Sequence, residues 1–172
     1  MFLLAMSLWF YAYFNVSYLW IILSSIVINY LFTLVMDRTK APVLRKLEVV
    51  AAVILNLGIL FYFKYFDFFL MNLNRFAHTD FHLHNILLPL GISFFTFQQV
   101  SYVVDAYRGE VQQYNFLQYA SFVAYFPQLI AGPIVRYVDV ARELNERSHS
   151  WEDFCLGLRR FLVGLGKKIL IA

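Results

Sequence analysis

The chain has 172 residues, 61% of them hydrophobic, 20% aromatic and only 15% charged, where a soluble domain carries about a quarter charged residues. With a mean hydropathy of +0.62, this composition excludes an ordinary soluble domain and implies an all-α, polytopic transmembrane helical bundle. The formal net charge of +3 lies in small loops, so no nucleic-acid partner is expected. A single cysteine, Cys155, rules out an internal disulfide and a multi-cysteine metal cluster.

No charge precedes Asp37. The opening stretch therefore lacks the basic region and small-residue cleavage site of a removable signal peptide, and reads as mature membrane sequence. Residues 1–14 are apolar but short for a crossing, which takes about 20 residues, and read as the end of a helix that starts further upstream or as a tilted fragment. Residues 16–36 form the cleanest span, ended by Asp37, Arg38, Thr39 and Lys40. Ser17, Ser25, Asn29 and Thr33 recur on one face of it, which is expected to turn toward other helices.

Residues 49–70 form the next span. Lys64 and Asp67, three apart near its end, are expected to pair on one helix face or to reach the interface. The polar connection 72–85 carries His78, His82 and His84. Histidines at this spacing suit a metal, but no cysteine or second acidic cluster completes a site, so an aqueous loop is expected. Pro89 then opens a helix over 89–107 at a position where its missing N–H costs little. Gln98, Ser101 and Asp105 make a polar face on it that must point into protein or water, and residues 107–110 form a turn.

Residues 116–133 are too broken for a simple crossing. Pro127 removes the helical donor to the Val123 carbonyl, Pro133 removes that to Leu129, and Gly132 is pushed toward extended geometry. Irregular chain at membrane depth survives only where protein or a water-filled cavity satisfies its freed backbone groups, so this stretch reads as a re-entrant segment or pore wall. The charged stretch 136–153 is expected to be aqueous. Ser150 and Asp153 then suggest a capping-box start to a last helix over 151–172, with Phe154, Leu158, Phe161, Leu162, Leu165 and Ile169 as its apolar stripe. Arg159, Arg160, Lys167 and Lys168 make that helix basic and amphipathic, suited either to span or to lie at the surface. The end at Ala172, without cap or polar tail, reads as a cut within a longer protein. Four basic residues against two acidic in 37–48 place that segment in the cytoplasm, and the basic last helix favours the same side.

Four stretches carry a family resemblance: LNLGILFYFKYFDFF from Leu55, LPLGISFFTFQQVSYVVDAYRGE from Leu88, NFLQYASFVAYFPQLIAGPIVRY from Asn115, and WEDFCLGLRRFLVGLGKKILIA from Trp151. Together they resemble the membrane-bound O-acyltransferase (MBOAT) family, specifically the membrane subunits of alginate O-acetyltransferase type. That resemblance implies helices wrapped around a tunnel in the bacterial inner membrane. An acyl donor such as acetyl-CoA, not covalently bound, would enter from the cytoplasm, and an exported polysaccharide would accept the acetyl group on the other side with the help of periplasmic partner proteins. No metal is implied.

The resemblance also implies a catalytic histidine on a segment beyond the matched part. None of His78, His82, His84 and His149 lies in the matching context, so the chain reads as an N-terminal fragment without a catalytic residue, inactive alone. The family's PQLIAGPIVR segment contributes Gln128, Gly132, Pro133 and Arg136. Gln128 and Arg136 are expected to face the cavity, the amide satisfying freed carbonyls and the guanidinium attracting the donor's phosphates, or else both only stabilise the broken helix. Gln98, Asp105 and Arg108 either line the tunnel or, for the last two, pin the neighbouring turn. Two other readings stay open at this point: a transporter or flippase, which also uses broken helices though no repeated segment is visible, and a non-catalytic membrane scaffold.

Overall fold

A computed structural model describes residues 2–84, 86–111, 115–133, 135–145 and 150–170. Among these it is all-α, with helices α1 (Phe2–Phe14), α2 (Val16–Arg38), α3 (Pro42–Ala77), α4 (Ile92–Arg108), α5 (Phe116–Ala124), α6 (Phe126–Ala131), α7 (Tyr137–Asn145) and α8 (Trp151–Leu170), and no strand. The chain divides into two compact units, Met1–Ala141 and Arg142–Ala172.

Two of the described helices, α2 and α3, are long and apolar enough to cross a membrane. Their apolar residues do not build a water-soluble core. Only 17% of the most apolar stretch of α3 and 33% of that of α2 is buried, while Trp20, Leu31, Ile54, Phe61 and Phe68 stand exposed. Apolar surface of that extent needs lipid as its solvent.

Asn15 separates α1 from α2. Its backbone is extended and its side-chain oxygen accepts the Ser17 N–H at 2.9 Å, capping α2. Ser17 therefore sits in an exposed first turn rather than on the inward stripe expected of it, whereas Ser25, Asn29 and Thr33 are buried.

Helix α3 has 36 residues instead of the 22 from Val49 to Leu70, about 54 Å of helix against a hydrocarbon core of about 30 Å. Most of the expected loop 37–48 is thus helical. Pro42 opens it in the first turn, where a fixed φ helps and an N–H is not needed, and Leu44, Arg45, Lys46 and Leu47 are good helix formers. At the far end the helix runs through the polar Asn72–Arg75 and stops at His78, which is left-handed at φ 52°. Polarity marked the edge of lipid, not the end of the helix.

The expected Lys64–Asp67 pair does not form. Lys64 Nζ donates to Ser93 Oγ at 3.1 Å, and the Asp67 carboxylate accepts the backbone N–H groups of His84 and Ile86, both at 3.0 Å. Asn74 accepts the Phe81 N–H and donates to the Phe81 carbonyl. Asp67 and Asn74 thereby fold the connection after His78 back onto α3. Pro89 also differs from expectation: it precedes the helix. Its carbonyl accepts the Ile92 N–H at 3.3 Å in a turn completed by Gly91 at φ 68°, and α4 begins at Ile92.

Helix α4 packs against α2, α3 and α5. A polar hub fixes it there. Asn29 of α2 and Asn56 of α3 pair reciprocally, Asn56 Nδ2 donating to Asn29 Oδ1 at 2.6 Å and Asn29 Nδ2 to Asn56 Oδ1 at 3.1 Å. Gln99 Oε1 of α4 accepts from Asn29 Nδ2 at 2.9 Å and from Ser25 Oγ at 2.6 Å. All four side chains are buried. Interhelical amide bonds of this kind hold membrane helices whose apolar contacts do not distinguish partner from lipid.

In the second unit, the α8 start is as expected: Ser150 Oγ accepts the Asp153 N–H at 3.0 Å and donates to the Asp153 carboxylate at 2.8 Å. The charged stretch 136–153, expected only to be aqueous, contains helix α7.

Candidate functional site

The candidate site is assembled at the C-terminal end of α4. Gly109 takes the left-handed conformation, φ 75°, and its N–H reaches the Ala106 carbonyl at 3.1 Å while that of Glu110 reaches the Asp105 carbonyl at 2.9 Å. This is a Schellman motif, and it needs a residue without Cβ strain at the reversing position. It doubles Glu110 back beside Asp105, one helical turn earlier, so two carboxylates meet at the negative end of the helix.

Arg136 fills the space between them. Its Nη2 and Nε donate to Asp105 Oδ1 at 2.5 Å and Oδ2 at 3.2 Å, a bidentate pair, and Nη2 also donates to Glu110. Asp105 is buried while the Arg136 side chain is 43% exposed, so the cluster opens on one side. The hydrogen bonds it donates to Asp105 first, and to Glu110 second, push the guanidinium pKa further up and keep it charged. Arg108 stays outside this clamp, 4.0 Å from Glu110 and exposed. Through Arg136 the Asp105 carboxylate ties α4 to the segment before α7.

Tyr137, the next residue, is buried. Its ring meets Tyr102 of α4 edge-on at 5.0 Å and Phe122 of α5 at 5.6 Å, and its hydroxyl reaches Gln118 at 3.4 Å. Arg136 and Tyr137 thus anchor one short segment twice, by charge on α4 and by packing between α4 and α5. On the other flank of α4, Arg45 Nη2 donates to the Ala106 carbonyl at 3.0 Å, and its guanidinium lies 5.6 Å from the centre of the Tyr107 ring.

The broken segment leads into this cluster. Helix α5 ends where Tyr125 extends, and Pro127 sits in the first turn of α6. Gly132 ends α6 with extended backbone and returns its N–H to the Gln128 carbonyl at 2.9 Å. A Cβ at Gly132 would lie 2.6 Å from Gln128 Cα and 2.9 Å from its carbonyl oxygen, so the approach there requires glycine. Gln128 Nε2 donates to the Pro133 carbonyl at 3.1 Å, one amide satisfying a backbone acceptor of the broken chain. Buried Leu129 packs on Gly91, whose missing Cβ would meet it at 3.3 Å. Phe126 stacks on Phe10 of α1 at 4.8 Å, and Tyr11 donates its hydroxyl to the Leu90 carbonyl. The broken segment is thereby wedged between α1 and the start of α4.

The structure thus brings Asp105 and Arg136 together, and separately Gln128, Gly132 and Pro133. Gln98 lies apart, buried in α4 with Oε1 lacking a protein partner. His78, His82 and His84 are in the exposed connection, where His84 packs its ring on Phe66 at 5.5 Å. His149 lies outside the described residues. Among the described residues no three His, Cys, Asp or Glu side chains gather as a metal site would need. Sequence reasoning missed Glu110 as a partner of Arg136, and Asn56 and Gln99 as hub residues. For the last two a signal existed, since an amide within an apolar span is rarely without a partner.

Residues 69–172 match the membrane-bound O-acyltransferase family, MBOAT. Over 96% of its length the chain is 36% identical to a peptidoglycan O-acetyltransferase of Helicobacter pylori, covering 37% of that protein. Over 99% of its length it is 39% identical to a probable alginate O-acetylase AlgI of Pseudomonas aeruginosa, covering 34% of it. A 56-residue stretch is 36% identical to a teichoic acid D-alanyltransferase of Lacticaseibacillus rhamnosus, 33% of this chain and 14% of that protein. No solved structure matches. The chain spans about a third of the length of the first two relatives. With the family matched over more than half of its residues and an all-α fold carrying membrane-length helices, the chain belongs to the membrane-bound O-acyltransferase family.

Proposed function

We propose that the protein to which this chain belongs transfers acetyl groups to hydroxyls of an exported polysaccharide, in the manner of alginate O-acetylation. The observation that carries this reading is the 39% identity over 99% of the chain to a probable alginate O-acetylase. Acetyl-CoA at the cytoplasmic side is the donor, periplasmic acetylation proteins are the partners, and the protein is a multi-pass component of the bacterial inner membrane. Within it, this chain supplies part of the wall of the acyl-transfer passage and not the catalytic base.

The α4 end, the broken segment and the residues before α7 would form part of that wall. In this reading Gln128, Gly132 and Pro133 shape the turn, Asp105 orients Arg136, and the exposed side of the Arg136 guanidinium offers charge-assisted donors to an anionic group of the donor. Gln98 and Arg108, on the same helix α4, are the further candidates to line the passage. Two carboxylates already engage Arg136, so its role is orientation of a polar group at fixed geometry rather than provision of an uncompensated charge. The second relative type, a peptidoglycan O-acetyltransferase at 36% identity, makes a peptidoglycan sugar the alternative acceptor.

The test uses membrane vesicles from cells that express the full-length gene and from cells that lack it, supplied with acetyl-labelled acetyl-CoA. Label that enters polymer and is released by mild alkali, only when the gene is present, is the expected result. Equal incorporation in both preparations sinks the proposal, and digestion of the labelled polymer by alginate lyase or by muramidase separates the two acceptors.

A further inference from the structure

Helix α8 has no buried residue, although it carries some of the largest side chains in the chain. Phe154, Leu158, Phe161, Leu162, Leu165 and Ile169 fall on one side and span roughly 100° of circumference at about 100° per residue. Phe161 is 63% exposed and Ile169 69% exposed. Among the described residues only α2 and α3 are apolar enough to cross a membrane, and Arg159 and Arg160, midway along α8, would stand at the bilayer centre if it spanned, the costliest depth for a cation.

The cations are placed for a different task. Arg159 and Lys168 fall roughly 90° to either side of the stripe's centre, where long stems can follow the apolar face while the charges stay at headgroup level. Arg160 and Lys167 lie on the opposite face. The two acidic residues, Glu152 and Asp153, are confined to the first turn, where the helix dipole favours them, leaving the rest of the helix purely cationic.

We infer that α8 is an in-plane interfacial helix that docks on anionic lipid headgroups of the cytoplasmic leaflet, its Phe154–Ile169 stripe in the acyl boundary and Arg159 and Lys168 paired with lipid phosphates. This is independent of the acyl-transfer reading. Each cation near an anionic surface strengthens docking by about fivefold, so headgroup charge and not apolar area alone sets the depth of the helix.

Cys155 lies at the edge of the stripe and is the only cysteine in the chain, which makes it a native depth probe. Full-length protein, with any cysteine outside this segment replaced by serine, is labelled with an environment-sensitive fluorophore at Cys155, or at Arg160→Cys in a Cys155→Ser background. It is then placed in nanodiscs of phosphatidylglycerol or of phosphatidylcholine. In phosphatidylglycerol the Cys155 label should be quenched several-fold more by nitroxide lipids than by aqueous iodide, and the position-160 label the reverse. In phosphatidylcholine the Cys155 label should move toward water. A Cys155 label shielded from both quenchers means that protein covers the stripe, and lipid quenching at both positions means that the helix spans. Either result overturns the inference, as does equal depth in the two lipids.

Discussion

Replacing Asn29 by leucine tests how the site is held. Leucine has the same four-heavy-atom skeleton, branched at Cγ, as asparagine, so the change removes hydrogen bonds while keeping the side-chain shape. Asn29 exchanges two bonds with Asn56, at 2.6 and 3.1 Å, and gives a third to Gln99 at 2.9 Å. Interhelical bonds in membranes average about 0.6 kcal/mol with a maximum near 1.7, so three give about 2 kcal/mol. The Asn56 carbonyl oxygen loses its interhelical donor, which adds to the loss. Asn29→Leu should therefore destabilise the full-length protein by about 2–3 kcal/mol, and Asn56→Leu, which breaks only two interhelical bonds, both to Asn29, by about 1–2 kcal/mol. The double variant should cost little more than Asn29→Leu alone, because the second substitution removes a group already orphaned by the first. Denaturation of the purified protein in mixed micelles, run as a double-mutant cycle, should give a coupling of about 1–2 kcal/mol. Additivity within about 0.3 kcal/mol would show that the two amides do not form a unit, and the polar-hub reasoning would fail.

Other expectations follow from single contacts. Gly132→Ala should lower stability by about 1–3 kcal/mol, since its methyl meets Gln128 backbone that no rotamer can clear; Gly58→Ala, with nothing within 4 Å, is the control, and melting in detergent separates them. Arg136→Lys should reduce polymer acetylation by about tenfold, because a lysine cannot hold the bidentate Asp105 and the Glu110 contact together and misplaced positioning groups cost up to about 10²-fold; unaltered alkali-released acetate would refute a positioning role. Asp67→Asn should speed amide exchange at His84 and Ile86 by about tenfold, as charge-assisted bonds weaken by about 1.4 kcal/mol, and exchange followed by mass spectrometry checks it.

The parts of this fold that were legible in the sequence were those governed by local chemistry. The proline pair around Gln128 foretold a broken helix, and the structure breaks it at Tyr125 and again at Gly132. Ser150 and Asp153 foretold the cap of α8, and the stripe of Ser25 and Asn29 foretold inward packing. The errors share one cause. Polarity and spacing along one element misplace the α3 ends and Pro89, and of the two readings offered for Lys64 and Asp67 only direct pairing fails, since the partners come from elsewhere: Ser93 for Lys64, the backbone of His84 and Ile86 for Asp67. The Arg136 clamp was hidden for the same reason. Asp105 and Glu110 become neighbours only because Gly109 reverses the chain, and Arg136 reaches them across 31 and 26 residues.

The most direct test of the central claim is the ester-linked acetate on exported polysaccharide from a strain lacking the gene, complemented with the full-length gene, with its Arg136→Lys variant, or with these 172 residues alone, and read by proton NMR of the purified polymer. Full restoration by the complete gene, partial restoration by the variant and none by the 172 residues are expected. Polymer acetylated normally in the deletion strain, or restored by the 172 residues alone, would contradict the assignment of this chain as a non-catalytic wall of a polysaccharide O-acetyltransferase.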